Sequence, residues 1–309
     1  MNQGALVNTT AQLTARPAEV APPHQHQGQL PPLDVARVAH LKERALFVRA
    51  ETVRLISIAK TGHYASSFSC AEILAVLYYD TLRLHRGEPG WPERDRFLLG
   101  KGHAAVGVYP LLADWGFLEA EVLNGYTRLG SPLGDHPDMT KVPGIDFSSG
   151  SLGHALSAGL GMALAGRITG ADYNVYVLLG DGEQQEGQVW EAALSAAHHK
   201  MSHLIAIVDR NQYSLDGRVD DVMGIEPLVD KWRAFGWQVH EVDGHDVAAI
   251  AECLRALAAD DGRSQPAVVI AHTVKGKGIK YMEQEFGWHL GWLAAEDETD
   301  AYAELRAQA

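Results

Sequence analysis

Asp181 and Asn211 stand thirty positions apart, and each follows an apolar run, VYVLLG before the first and LIAIVDR before the second. A carboxylate and a neutral amide oxygen at corresponding places suit a hard divalent cation, Mg²⁺ or Ca²⁺. Magnesium keeps part of its shell for water and phosphate oxygens, so one charged and one neutral ligand leave room for the charge of a diphosphate. Gly180 and Gly182 flank Asp181, permitting a tight turn and a close approach of ligand to backbone. Gly-Asp-Gly alone reads equally well as an ordinary turn, because Asp-Gly and Asn are common turn formers. A helix and a second apolar strand between the two residues favour the metal-bridged diphosphate.

Those residues need elements to carry them. Val175–Leu179, Leu204–Val208 and Ala267–Ala271 are short, rich in Val, Ile and Leu, and bounded by turn residues, which predicts buried strands. Helical patterns at Glu186–His199 and Val247–Ala258 separate them. Such alternation predicts an α/β, doubly wound, mostly parallel sheet with helices on both faces. In such sheets ligands bind beyond the carboxyl ends of strands, where Asp181 and Asn211 fall. The first turn of the helix opening at Glu186 favours an anion. Upstream, Val38, Leu41, Ala45 and Val48 predict a helix from Leu33 to about Lys60, stopped by Gly62. A second helix is predicted over about Ser69–Asp80. Residues 1–32 (including PAEVAPPHQHQGQLPP) show no periodicity and are expected to form a disordered tail, leaving 33–309 as one domain.

Composition narrows the function classes. The 309 residues hold a net charge of −13, which disfavours nucleic acid and anionic membranes as partners. Positive charge for a diphosphate must therefore come locally, from a metal, helix ends and a few basic side chains. No apolar run is long enough to span a bilayer, and MNQGALVNTTAQLT lacks the features of a secretory signal. Two distant cysteines, Cys70 and Cys253, fit a reducing cytoplasm rather than a disulfide scaffold.

The wider pattern resembles the transketolase family. The spaced GDG and Asn look like its thiamine-diphosphate signature, within GDGEQQEGQVWEAALSAA and VDRNQYSLDG. Similar blocks are TGHYASSFS at 61–69, GKGHAAVGVYPLL at 100–112, GDHP at 134–137, SSGSLGHALSAGLGMALA at 148–165, and HTVKGKG…GWH at 272–289. The resemblance covers roughly residues 35–292.

It implies that Asp181, Asn211 and the backbone carbonyl of Tyr213 hold the metal. Gly182 and His103 would touch the diphosphate, and Lys275 would add a cation. Gly150, Ser151 and Leu152 would pack beside the cofactor rings, with Ser66 and His289 close to the cofactor. His63, His136 and His289 fall where the family keeps histidines around the substrate. Imidazoles can take and return the hydroxyl protons that ketol transfer moves, while the cofactor supplies the electron sink. Glu186 is implicated at a subunit interface, and His154, His198, His199, His240 and His245 are expected to be structural. The chain departs from the family pattern at His63-Tyr64-Ala65 (often His-Pro-Gly), at Gly150-Ser151-Leu152-Gly153-His154 (often Gly-Pro-Leu-Gly-Gln), and at Asp135, where glycine is common.

Full-length relatives continue into a pyrimidine-binding domain that nothing here resembles. The resemblance is therefore to the stand-alone N-terminal subunit of a split transketolase. It implies a C-terminal partner subunit, an α₂β₂ assembly with sites between subunits, and sugar or sugar-phosphate substrates. Other readings are a split enzyme with a different donor and acceptor, a 2-oxoacid dehydrogenase α-subunit, and a non-catalytic cofactor-binding subunit. The His63, GKGH and GSLGH blocks fit the dehydrogenase less well, and the retained site residues argue against lost chemistry.

Overall fold

The computed structural model describes residues 30–260 and 262–308. The tail expected over 1–32 lies outside the described residues except for its last three. Helix α1 (Val35–Ala59) begins where the Asp34 carboxylate accepts the Arg37 N–H at 2.8 Å. It ends at Lys60, whose left-handed backbone returns an N–H to the Ile56 carbonyl. Both ends agree with the periodicity.

The next segment does not match its expectation. TGHYASSFS is mostly helix: α2 (Tyr64–Ser69) starts directly after His63, and α3 (Ala71–Val76) runs on into a π-turn at Leu77–Thr81. Every residue of α2 is buried, so no polar face exists to mark a 3.6-residue period. Its serines hide the helix further by bonding backwards, Ser67 Oγ donating to the His63 carbonyl at 3.2 Å. His63 becomes the residue that opens a helix.

Strand β1 (Arg96–Leu99), helices α4 (Ala105–Asp114) and α5 (His154–Thr169), strand β2 (Val175–Gly180) and helix α6 (Gly187–His198) follow. After strand β3 (Leu204–Arg210) come the short helices α7 (Val219–Met223) and α8 (Leu228–Ala234). Strand β4 (Gln238–Asp243), helix α9 (Val247–Ala259), strand β5 (Ala267–His272) and helix α10 (Ala295–Arg306) complete the described elements.

All four strand pairings are parallel, in the order β1-β2-β3-β5-β4. Alternate strand residues enter two separate cores. Tyr176, Leu178, Ile205, Ile207 and Val269 pack with α1 to α4 and α9. Val175, Val177, Leu179, Ala206, Val208 and Val268 pack with α5, α6 and α8. At about 1.5–3 kcal/mol for each large apolar side chain fully buried, this double coverage is what fixes the central strands. The register sets Gly180 beside Asp209 and Asp209 beside Ala271, so the loops after β2, β3 and β5 leave the sheet together.

Candidate active site

Those three loops, the turn after β1, the segment before α5 and the start of α2 line a cavity of about 330 Å³. Its lining includes His63, Ser66, His103, His136, Gly150, Leu152, Asp181, Gly182, Asn211, Tyr213 and His289. Ser151 is exposed and does not line it, and Lys275 lies beneath the wall. The helix expected to open at Glu186 does so within a residue, α6 beginning at Gly187. A 3₁₀ turn at Gly182–Gln185 comes first, and Glu186 sits at the helix cap facing the cavity.

Asp181 is 2% exposed, and among the described residues no basic side chain lies within ion-pair distance of it. One carboxylate oxygen accepts the Gly182 N–H at 2.8 Å and the other accepts the Gln212 N–H. Burial first, and then the nearby Asp209, push its pKa up to about 7. A buried carboxylate held against that cost has the character of a cation ligand awaiting charge.

Asn211 is anchored by its nitrogen. Nδ2 donates to Ser69 Oγ at 3.2 Å and to Asp209 Oδ2 at 3.3 Å, while Oδ1 accepts only the Tyr213 N–H at 3.1 Å. The Tyr213 carbonyl accepts no hydrogen bond among the described residues. Asp181, Asn211 and Tyr213 thus line one cavity beyond the ends of β2 and β3 and offer hard oxygens, a donor type that suits Mg²⁺ or Ca²⁺ with positions left for phosphate oxygens. Gly182 at the same turn brings backbone within reach of a diphosphate.

Four imidazoles crowd together in the same cavity. His63 lies 5.2 Å from His103, 6.0 Å from His136 and 5.1 Å from His289, between ring centres. Burial, followed by repulsion from Lys101, holds the pKa of His103 well below its ordinary value. Burial and then Lys275 bring His289 down to about 3. His136 is also lowered, by burial against the pull of Asp135. Lys275 donates to the Ser214 carbonyl at 2.6 Å and lies 3.2 Å from His289 Nδ1. Burial and then Lys101 bring the Lys275 pKa down to about 8, leaving its charge responsive to an arriving anion.

Several contributors escaped the sequence reading. Asp209 is fully buried inside β3 and accepts from Lys101 Nζ, Ser69 Oγ and Thr273 Oγ1. Its interruption of an apolar strand was the one signal pointing to it. Glu183 accepts the Gly153 N–H at 2.8 Å and the Gly180 N–H at 3.0 Å, tying the loop before α5 to the Gly180 turn. Burial brings its pKa up to about 7. Of the histidines expected to be structural, His245 plainly is: it bridges Glu72 Oε2 at 3.1 Å and the Val274 N–H at 2.8 Å.

The parallel sheet covered by helices on both faces is the fold of transketolases of known structure, the thiamine-diphosphate-binding fold. Residues 41–305 match the family described as "Transketolase, thiamine diphosphate binding domain", and the chain belongs to the transketolase family. It is 40% identical over 257 residues to an apulose-4-phosphate transketolase subunit from Phocaeicola vulgatus, covering 83% of this chain and 90% of that one. Identity to the 6-deoxy-6-sulfo-D-fructose transketolase subunit SqwG of Clostridium sp. is 39% over 272 residues, covering 87% and 97%. A crystal structure of a transketolase variant from Pichia stipitis superposes with a TM-score of 0.80 at 29% identity, over 87% of this chain and 41% of that one. The chain thus spans less than half of that longer transketolase and nearly all of the two shorter relatives.

Proposed function

We propose that this chain is the diphosphate-and-metal half of a two-chain enzyme that moves a two-carbon ketol group from a ketose to an aldose. The observation that supports it most directly is that Asp181, Asn211 and Tyr213 line the same cavity as His63, His103, His136 and His289. Thiamine diphosphate, when bound, supplies the electron sink for breaking and making the carbon–carbon bond. The chain's own groups do the rest. Asp181, Asn211 and Tyr213 hold the metal, Gly182 and His103 orient the diphosphate, and Lys275 adds a cation from below. His63, His136 and His289 hold and return the hydroxyl protons of donor and acceptor. Burial lowers the pKa of His289 to about 3 and that of His136 below its ordinary value, so both rings rest neutral.

A cavity that grips the metal-bound end leaves the other end of the cofactor to be oriented by a second surface. We assign that surface to a C-terminal partner subunit in an α₂β₂ assembly. The relatives named for apulose-4-phosphate and 6-deoxy-6-sulfo-D-fructose, covered over 90% and 97% of their lengths, favour a specialised sugar over the common pentose-phosphate pair.

Co-expression with a candidate partner, followed by ketol-transfer assays with thiamine diphosphate and Mg²⁺ over phosphorylated and unphosphorylated sugars, tests this. Transfer at an ordinary enzymatic rate by the chain alone refutes the need for a partner. Transfer that survives Asp181→Ala refutes the metal bridge.

A further inference from the structure

Asp135 occupies the floor of the histidine cluster, in the loop that also carries His136. Its Oδ1 lies 3.2 Å from His63 Nδ1 and accepts the Tyr126 hydroxyl at 2.7 Å. Burial opposes its charge, but the hydrogen bonds from His63 and Tyr126 prevail and keep the carboxyl below its ordinary range. An ionised carboxylate only accepts, so the proton between the two residues belongs to His63 Nδ1. Nε2 of the same ring is then the lone-pair nitrogen, and it has no hydrogen-bond partner among the described residues. His63 itself is nearly buried and lines the cavity, and its position directly before α2 fixes the ring at a helix start.

We propose that Asp135 is a positioning residue that locks His63 in the Nδ1–H form and turns Nε2 into the proton-accepting face of the cavity. This rests on the ketol-transfer reading of the same site. The four imidazoles look alike by type, and Asp135 makes them unequal. Among the described residues no carboxylate bonds to His103 or His289, whose neighbours include the cations Lys101 and Lys275. His136 has the same carboxylate only at 3.8 Å. The groups facing His63 are thus Asp135, Tyr126, His103, His136 and His289, and Asp135 is the anion in this set. A proton taken from a substrate hydroxyl by Nε2 produces an imidazolium with its counter-charge already in place. Arrival of that proton at His103 or His289 adds a second cation beside a lysine. The geometry therefore selects His63 as the base, with a tautomer fixed before substrate enters.

Long-range ¹⁵N–¹H spectra of the full chain, with His63→Gln to assign the ring, read the tautomer directly. The wild type is expected to show Nδ1–H at neutral pH, and Asp135→Ala to lose that preference. In the complex with its partner, D135A is expected to lower kcat about 10–100-fold, with KM and the thiamine-diphosphate Kd changed less than about threefold. D135N, which keeps an acceptor without the charge, falls between the two and moves the acid limb of the kcat–pH profile to lower pH. A wild-type His63 carrying its proton on Nε2, or a D135A complex with kcat within twofold of wild type, overturns the proposal. Should the wild-type complex transfer no ketol group, the functional reading fails, and the spectra still decide what Asp135 does to His63.

Discussion

The most exacting test of the site's foundations is the ion pair beneath it. Lys101, 2% exposed, donates to Asp209, 0% exposed, with no solvent to screen either charge. Burial works against the ammonium, yet Asp209 outweighs it and keeps the Lys101 pKa above its ordinary value. Removing one member leaves the other charge buried and unpaired, which costs about 3–5 kcal/mol. We expect Lys101→Met and Asp209→Asn each to lose stability in that range. The double variant removes both charges, and Asn at 209 retains an acceptor for Ser69 or Thr273. Its cost should stay near that of one single variant, giving a coupling energy of about 3 kcal/mol. Equilibrium urea unfolding of the four proteins at pH 7.5, without metal or cofactor, measures it. Coupling below about 1 kcal/mol refutes the claim that these charges depend on each other.

The same pair has two further signatures. Because the folded pKa of Lys101 is raised, its contribution is fully present below the unfolded value near 10.4 and is lost as pH climbs through the folded value. Wild type should therefore lose stability above about pH 10.5 more steeply than Lys101→Met. Asp209 also fixes Asn211 by its amide nitrogen at 3.3 Å. Asp209→Asn should weaken Mg²⁺ binding beyond its effect on fold stability, because the amide can then turn its nitrogen toward the metal.

On the proposed metal role, Mg²⁺ displaces a proton from Asp181 below its pKa of about 7, so titration calorimetry should show affinity falling roughly tenfold per pH unit below 7 and level above it. The raised pKa also means that the metal-free fold loses stability as pH rises from about 4 to 7, so chelation should lower Tm more at pH 8 than at pH 5. Gly153 has φ +84, and an added Cβ meets Glu186 Cβ at 2.7 Å, so Gly153→Ala should cost about 1–3 kcal/mol in urea unfolding. Glu183→Ala strands the Gly153 and Gly180 N–H groups and should cost about 2–4 kcal/mol, with Glu183→Gln losing less. A neutral result in either variant removes that residue from the account of how the two loops are held.

What was legible in the sequence follows from what each element buries. β2, β3 and β5 were found within a residue or two of their ends because both faces are covered and the runs are continuously apolar. β1 has only four residues and opens on Arg96, and β4 is an edge strand carrying Gln238, His240 and Glu241, so neither presents such a run. The helix at Tyr64–Ser69 was missed for the opposite reason, since total burial erases periodicity. Asp181 and Asn211 were readable because a strand end is a position in sequence. The histidine cluster was not, and only the family resemblance brought residues 63, 103, 136 and 289 together. The contacts Lys101–Asp209 and His63–Asp135 span 108 and 72 positions, and nothing local encodes them.

The carboxylates and the imidazoles of the cavity are perturbed in opposite senses, and both shifts start from burial. Burial makes carboxylates resist ionisation and imidazoles resist protonation, so each set sheds charge while it waits. Asp181 and Glu183 are pushed up to about 7, and His289 is brought down to about 3. On the proposed metal role, a divalent cation at Asp181 would offset the first effect by supplying positive charge. A phosphate oxygen near Lys275 would weaken the second, because Lys275 is the strongest charge repelling a proton from His289. On the proposed function, the charged end of the cofactor would couple to the imidazoles through Lys275, and NMR titration of His289 with and without Mg²⁺ and thiamine diphosphate reads that coupling.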